Sequence, residues 1–593
     1  MNRPLDFYQE KINQYTTTVN QLQQRWLLLS TLRLLSFVAM LVAGYYWIKQ
    51  DHSLPLGLAV FFLIIFIVLV RIALTIRDQK QLASKLVFIN QNEKNILLQQ
   101  PNGFPDGKAF AAGGEYAADL DIFGPGSLFH LLNRTTTSHG TEQLAGLLQQ
   151  PPLSPDTIAA RQEAVKALSK QTDLRQLLAA HGLLHEEKEG NLHAILSWLQ
   201  LPTVVRHLGW INIVRWLLPL YNLGALVYFL YTDNYGLLIP GILVSWLITG
   251  AFTKKILAQH TLLSKKQSIL QQYAAILHLF SQAEDNGSTL MQQQKAVALE
   301  AHQAIKKLSA LAGLFDQRLN LLVNFFLNSF GLYDIHCMWA LDNWKNRYKD
   351  RFAGWIDCVG SIETLHSLAS FAFNNPGYQY PEVVTGKPIL AASQLGHPLI
   401  APEQTVANDC DFGTAEQLIL VTGSNMSGKT TFLRTLGVNL VLAQSGGPVC
   451  ASSFRFTPMN ILSSIRVSDS LQEHTSYFMA ELKKLQQIVH YLQQQSAPAL
   501  ILIDEILRGT NSEDKTHGSE MFIKKLLQYN CLTLFATHDL MLSKLEQELP
   551  GQVNNYCFES TLRDGELYFD YTLQRGVAKN RNASFLMEKM EII

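Results

Sequence analysis

Residues 422–431 combine two glycines, a lysine and several hydroxyl side chains at the spacing G-x-x-x-x-G-K-[ST]. The apolar run 418–421 comes before them, and apolar residues at helical spacing follow. A strand, a glycine loop and a helix in this order are the context of a phosphate-binding loop, because backbone N–H groups and a helix N-terminus attract anionic oxygens. Lys429 would reach the β- and γ-phosphates, and the Thr430 hydroxyl would be a Mg²⁺ ligand. The pattern predicts that a nucleoside triphosphate is bound by Gly423, Ser424, Asn425, Met426, Ser427, Gly428, Lys429, Thr430 and Thr431.

Two further apolar runs end in side chains suited to hydrolysis. Residues 499–503 read as a buried strand that ends in Asp504 and Glu505, and residues 531–537 read as another that ends in His538. Asp504 would hold Mg²⁺ through water, Glu505 would polarise the attacking water, and His538 would sense the γ-phosphate or position that water. A lone histidine at a strand end is more often structural, so its assignment depends on the two preceding motifs. The sequence thus predicts the catalytic residues Lys429, Glu505 and His538 and the metal ligands Thr430 and Asp504.

These segments resemble, in order and spacing, the motifs of the MutS mismatch-repair ATPases. They correspond to the family's phosphate loop, signature segment, Walker B motif with D-loop, and switch histidine, at residues 422–430, 469–482, 504–514 and 535–538. The pair Asn425-Met426 ahead of the lysine turn is distinctive of the family. The resemblance implies an ABC-type ATPase that uses ATP and Mg²⁺ and closes as a homodimer through its ATPase domains. In such a dimer Ser476 would contact the nucleotide bound by the other copy.

The resemblance continues upstream, over residues 126–135 and 362–369, which look like the start and the end of the MutS helical core. It covers roughly residues 120–200 and 256–593. Three features depart from the family, and the first is that the glycine expected ahead of the signature serine is replaced near His474. No Phe is followed two places later by Glu, so the wedge that reads mismatches is missing. Thr405 stands where an aromatic residue often stacks on adenine, which leaves the base preference open.

Composition limits the partners of the chain. The chain has 593 residues, enough for three or four domains, and its 48 basic and 48 acidic residues cancel. No overall positive field therefore indicates nucleic acid, although local basic faces stay open. The six cysteines, at positions 337, 358, 410, 450, 531 and 557, form no C-x-x-C pair and are predicted to be reduced thiols of a cytosolic portion.

The N-terminal region is apolar enough to cross a membrane. Residues 54–70 contain no charge, and as a helix they would span about 26 Å at ~1.5 Å per residue, close to the thickness of the hydrocarbon layer. Residues 26–48 form a partner span, with Arg33 near one end and an aromatic cluster near the other. A buried helix of a soluble protein is the alternative, but such helices rarely stay apolar on every face.

A second apolar pair follows. Residues 211–231 contain Arg215 as their only charge, and residues 235–252 contain none. A hydrophobic helix pair packed in the core is the rival interpretation. The placement of positive charge favours the membrane, because basic residues flank the long segments while the connecting turn holds only Asp233. The first hairpin follows less cleanly, with Arg77, Lys80 and Lys85 on the long side but Lys49 in the short loop. Both hairpins then place the long segments in the cytoplasm, so the predicted location is the cell (inner) membrane, multi-pass, with the helical core and ATPase domain cytoplasmic.

The sequence therefore predicts an α-helical core plus an α/β ABC-type P-loop ATPase domain, with two transmembrane helical hairpins. The predicted domains are an N-terminal hairpin with its connecting helix, the first part of the core, a second hairpin, the second part of the core and the ATPase domain, at residues 1–100, 101–205, 206–255, 256–380 and 381–593. The predicted function is a membrane-anchored MutS-like ATPase whose partners are lipid, a second copy and, by resemblance, DNA without specific mismatch reading. An ABC-type ATPase coupled to transport or another membrane process is the alternative, and a tether with a degenerate ATPase is a third.

Overall fold

The computed structural model describes residues 4–50, 53–111, 114, 116–149, 153–185, 190–413, 416–466, 477–495, 497–507, 511–563 and 566–579. Helices α1 to α17 are Pro4–Gln50, Ser53–Leu97, Leu128–Leu132, Ser138–Gln149, Pro155–Ser169, Thr172–Gly182, Asn191–Gln200, Gly209–Thr232, Leu238–Leu263, Gln267–Ser281, Thr289–Asp316, Leu321–Gly331, Tyr333–Asn374, Lys429–Gln444, Tyr477–Gln494, Ser512–Leu526 and Leu545–Glu548. Strands β1 to β10 are Glu382–Val383, Leu390–Leu395, Asn408–Phe412, Leu418–Gly423, Ser453–Phe456, Asn460–Ser464, Ala499–Asp504, Cys531–Thr537, Val553–Arg563 and Glu566–Arg575.

The strands form two sheets. The smaller has the order β1-β5-β2-β3, and the larger has the order β10-β9-β4-β8-β7-β6. In the larger sheet β9, β4, β8, β7 and β6 run parallel, and β10 alone pairs antiparallel, with β9. Every residue of β4 and β8 is buried, which fits the continuous apolar runs read from the sequence. Because parallel strands end at one edge, β4, β7 and β8 bring their following residues together.

The helical part is built around α13, a helix of 42 residues against which α4, α5 and α11 pack. Leu, Ile and Ala recur at helical spacing through residues 256–323, which predicts long helices there. The structure divides this stretch into the end of α9, then α10, α11 and the start of α12. One break is explained by local chemistry: Asn286 and Gly287 adopt positive φ, and Ser288 caps α11 by accepting a hydrogen bond from the Met291 N–H.

Among the residues that the structure describes, four helices are long and apolar enough to cross a membrane: α1, α2, α8 and α9. Both members of the first pair extend far beyond the predicted spans. Helix α1 begins at Pro4, and in its second turn the Tyr8 hydroxyl donates to the Asn374 side chain at the end of α13 at 2.6 Å. Helix α2 carries Glu93, which forms a buried ion pair with Arg134. The first pair is therefore joined directly to the helical core.

Candidate functional site

The predicted phosphate loop lies between β4 and α14, at the centre of the larger sheet. Gly428, the residue before α14, has φ +104°, and a Cβ at this position would lie 3.1 Å from a ring carbon of Tyr571. A residue other than glycine would thus be strained and crowded at this turn. The loop side chains differ in exposure: Ser427 and Lys429 are buried, Gly423 is buried at the strand end, and Asn425, Met426 and Thr431 are exposed.

Lys429 is folded over its own loop. Its ammonium group donates to the Gly423 carbonyl at 3.0 Å and to the Ser424 carbonyl at 2.7 Å. The side chain is only 5% exposed, so its charge faces the interior of the loop instead of bulk water. A cation held in this position attracts the anionic oxygens of a phosphate chain.

Thr430 and Asp504 meet across the gap between α14 and β7. The Thr430 hydroxyl donates to the Asp504 carboxylate at 2.6 Å. Both groups offer oxygen, the ligand type that Mg²⁺ prefers, and Mg²⁺ usually keeps several waters and phosphate oxygens besides one or two protein ligands. The donor set fits that requirement. The described residues contain no cluster of three or more His, Cys, Asp or Glu side chains that could hold a metal, so a fully protein-made cage is not what these residues build.

Glu505 and His538 lie beside this pair. Glu505 has φ +56°, a left-handed conformation that is uncommon outside glycine, and its carboxylate forms an ion pair with Lys515. His538 follows β8 and forms a hydrogen bond with the backbone of Gly423. Burial and the nearby positive charge of Lys429 lower the pKa of His538 below its ordinary value of 6.5. The imidazole is therefore neutral at pH 7, which lets one ring nitrogen donate and the other accept.

These side chains surround one cavity of about 570 Å³. The structure brings together there the predicted residues Asn425, Met426, Ser427, Gly428, Lys429, Thr430, Thr431, Asp504, Glu505 and His538. Gly423 and Ser424 are not in the lining, but their carbonyls accept the hydrogen bonds from Lys429. Ser476 lies outside the described residues.

The cavity also contains an aromatic side chain that the sequence did not indicate. Tyr571, on β10, lines the same cavity as Thr405 and lies close to Gly428. It is held there because Asn408 donates to the Tyr571 carbonyl at 3.1 Å and accepts from the Leu573 N–H at 2.6 Å. The pairing of β9 and β10 shifts register between Phe569 and Leu573, which is where the backbone of Tyr571 departs from the ladder. The only signal in the sequence was the aromatic run around residue 569.

An acidic segment ahead of α3 contacts the elements around the loop. The Asp119 carboxylate accepts hydrogen bonds from the Ser463 hydroxyl at 2.7 Å and from the Lys484 ammonium at 2.7 Å. Asp121 pairs with Arg434 of α14 at 3.0 Å and with Arg466 at 2.6 Å. The beginning of the helical core is thus fixed to the end of β6, to α15 and to the helix that follows the phosphate loop.

Comparisons with known proteins agree with this arrangement. The family profile of MutS domain III matches residues 117–494, and that of MutS domain V matches residues 419–589. The chain is 32% identical over 259 residues to the human protein named MutS protein homolog 4, a match that covers 42% of this chain and 25% of that protein. It is 32% identical over 237 residues to the DNA mismatch repair protein MutS of Chloroflexus aurantiacus, covering 39% of this chain and 24% of the relative.

The matched region therefore spans about a quarter of the length of these relatives. The domain III profile alone matches more than half of the chain and runs from the acidic segment to the end of α15. The domain V profile covers the cavity-lining residues from Asn425 onward, which include Lys429, Asp504 and His538. The chain belongs to the MutS family.

Proposed function

We propose that this MutS-family chain binds ATP with Mg²⁺ in the cavity at the edge of the larger sheet and hydrolyses it. The observation that carries the proposal is the meeting of Thr430 and Asp504 at 2.6 Å beside the buried ammonium of Lys429. Family membership supports it, because the motifs of this site resemble those of MutS ATPases. The same membership disfavours the transporter alternative.

Each side chain has a separate role in this proposal. Lys429 and the loop N–H groups bind the phosphate chain, and Thr430 and Asp504 would hold Mg²⁺, which supplies charge neutralisation on the phosphate oxygens. Glu505 orients the attacking water and accepts its proton, after releasing Lys515. Neutral His538 keeps a donor or acceptor available near Gly423 for the γ-phosphate or the water. Ser476 of a second copy would complete the site on dimer closure.

Two variants test the chemistry. Lys429→Ala should abolish ATP binding, and Glu505→Gln should keep binding but slow hydrolysis by roughly 10²–10⁴-fold, the usual effect of removing one positioned general base. The matched control is Glu403→Gln, which changes an exposed carboxylate in the same domain. Hydrolysis by Glu505→Gln at the wild-type rate would show that Glu505 is not the base.

We also propose that both apolar helix pairs anchor the chain in the cell membrane, with the core and the sheets in the cytoplasm. The lengths of α1, α2, α8 and α9 and their many exposed apolar side chains support this. Single cysteines at Asp51, which lies between α1 and α2 in the sequence, and at Asn234, between α8 and α9, should react with an impermeant thiol reagent added outside intact cells. A cysteine at Gln292, an exposed position on α11, should not. Labelling at position 292, or none at position 234, would contradict the proposed topology.

A further inference from the structure

A short apolar segment outside the four long helices has no role in the proposed site. Residues 319–333 contain no charged side chain, and they are flanked by Arg318 and Asp334. These two residues pair with each other at 3.3 Å, and both side chains are largely buried. The ion pair joins the two ends of an uncharged segment that consists mainly of helix α12, Leu321–Gly331.

The inner face of α12 packs against the second long pair. Asn222 of α8 donates to the Ser329 carbonyl at 3.0 Å and to the Ser245 hydroxyl of α9 at 2.9 Å. The indole of Trp246 donates to the Ser329 hydroxyl at 3.0 Å. Asn222, Ser245 and Ser329 are at most 1% exposed. These bonds pair the side-chain N–H donors of Asn222 and Trp246 with oxygen acceptors on neighbouring helices. Hydrogen bonds between helices are the usual way in which polar side chains are accommodated inside a membrane.

These contacts also fix the depth of α12 relative to the second pair. Asn222 lies thirteen residues after Gly209 and ten before Thr232, the two ends of α8. At ~1.5 Å per residue it is about 20 Å and about 15 Å from those ends, near the middle of the helix. The end of α12 at Ser329 is therefore level with the middle of the apolar pair.

The outer face of α12 is apolar and exposed. Leu321, Leu322, Phe325 and Phe326 are between 52% and 82% exposed. The face is continuous with that of α9, since the ring of Phe325 lies 5.7 Å from the ring of Trp246 and the neighbouring Leu247 is 76% exposed. Whatever surrounds α9 at this level also surrounds α12.

We propose that α12 is a re-entrant helix that enters the bilayer beside α8 and α9, with its outer face in contact with lipid acyl chains. An apolar helix of eleven residues is too short to span about 30 Å of hydrocarbon, but it suits a segment that enters and returns on the same side. The backbone at the end of α12 is covered, because the Ser329 carbonyl accepts from Asn222 of α8 and the next residue after the helix, Leu332, is 1% exposed. Non-helical backbone at membrane depth must be covered in this way. The inference rests on the proposed membrane anchoring of the second pair.

Lipid-quenching fluorescence tests it on the full-length protein in phospholipid vesicles. Single cysteines at Phe326, at Leu247 on α9 and at Leu299 on α11 would carry the same thiol-linked fluorophore, and the parent protein would measure labelling of the native cysteines. The probe at Phe326 should lose fluorescence in vesicles that contain nitroxide-labelled acyl chains, as should the probe at Leu247. The probe at Phe326 should lose less fluorescence when the nitroxide is on the lipid headgroup. The exposed probe at Leu299 should lose none.

The outcomes distinguish the re-entrant helix from the proposed membrane anchoring of α8 and α9. Quenching at Leu247 without quenching at Phe326 overturns the re-entrant helix and leaves the second hairpin in the membrane; a second copy covering the face would give this result. Stronger quenching at Phe326 by headgroup than by acyl-chain nitroxide also overturns it, because the helix would then lie at the interface. Quenching at neither position contradicts the membrane anchoring itself. Retained ATP binding by each labelled variant shows that the variant is folded.

Discussion

The ring of Tyr571 lies against Gly428 of the phosphate loop and lines the cavity at this point. We expect it to stack on the base of the bound nucleotide, the role that Thr405 cannot fill. Base–aromatic stacking contributes about 1–3 kcal/mol, so Tyr571→Ala should weaken ATP binding by roughly 5–150-fold, while Tyr571→Phe should bind nearly as well as wild type.

Titration calorimetry of the three proteins with ATP and Mg²⁺ measures this effect. The control is Tyr568→Ala, an exposed tyrosine on the same strand. Equal affinities for Tyr571→Ala and wild type would remove the tyrosine from the nucleotide site.

His366 gives a prediction about pH. Burial, together with the positive charges of Arg175 and Arg134, lowers the pKa of His366 well below its ordinary value of 6.5. The unfolded chain binds a proton there below about pH 6.5 while the folded chain does not, so folding loses stability as the pH falls, by about 1.4 kcal/mol per pH unit for each such group. Above pH 6.5 neither state binds the proton, and this contribution to the pH dependence disappears.

The melting temperature in detergent should therefore fall between pH 7 and pH 5. The fall should be smaller for His366→Gln, and unchanged for His490→Gln, which alters an exposed histidine. An identical slope for His366→Gln and wild type would mean that another group controls the acid sensitivity.

The placement of the predicted site residues could be derived from sequence because these side chains follow strands at fixed spacing. Lys429, Thr430, Asp504, Glu505 and His538 come together at the edge where β4, β7 and β8 end. Tyr571 could not be read, because its position depends on the register shift in β10 and on hydrogen bonds with Asn408, 163 residues away. The roles of all these side chains in binding and hydrolysis stay predictions.

At the scale of elements, Asp119 joins the helical core to the larger sheet. Its carboxylate is 1% exposed and accepts from Ser463, Lys484 and the backbone N–H groups of Ile465 and Arg466. Asp119→Asn should destabilise the protein by about 1.5–3 kcal/mol, the usual worth of a hydrogen bond to a charged group, because an amide nitrogen cannot accept.

Thermal unfolding of Asp119→Asn measures this loss. The control is Glu142→Gln, which removes a charge that is 65% exposed on α4 and is expected to change stability little. Asp119 holds both the end of β6 and Lys484 of α15. ATP turnover by Asp119→Asn should therefore fall as well, whereas ATP affinity should not. Wild-type stability of Asp119→Asn would show that the segment does not hold the two parts together.

The boundaries of some helices and strands could be predicted from sequence more closely than those of others. The strand β7 and the helix α8 were predicted within two residues, because long uncharged runs leave few alternatives. The long pattern 256–323 hid three helix ends, although Asn286-Gly287-Ser288 is a clear stop and start signal. Helix α12 was missed because a short apolar run resembles a buried core helix until its neighbours are known.

At the scale of the whole molecule, family and sequence give different expectations for DNA. The relatives include a DNA mismatch repair protein, but the Phe-x-Glu wedge is missing and the net charge is zero. Mismatch reading needs an inserted side chain that exploits the easier unstacking of a mispaired step. We therefore expect any DNA binding to depend on phosphate contacts, to fall steeply with salt, and to differ little between matched and mismatched duplexes.

Affinities for a homoduplex and a G·T heteroduplex at two salt concentrations decide this. A heteroduplex preference above roughly tenfold, about 1.4 kcal/mol, would restore a function in mismatch repair. Equal and salt-sensitive affinities would agree with the expectation, and so would no binding to either duplex.

The attachment of Tyr8 and Glu93 to the helical core has a consequence for symmetry. Helices α1 and α2 run without a break from that attachment into their apolar segments. Under the proposed membrane anchoring, these continuous helices would set the orientation of the core relative to the bilayer. Two copies that enter the same bilayer from the same side can be related only by a rotation axis perpendicular to the membrane plane. Closure of an ATP-bound pair would then be a lateral approach of two neighbours in a two-dimensional fluid, and its rate would depend on surface density instead of bulk concentration.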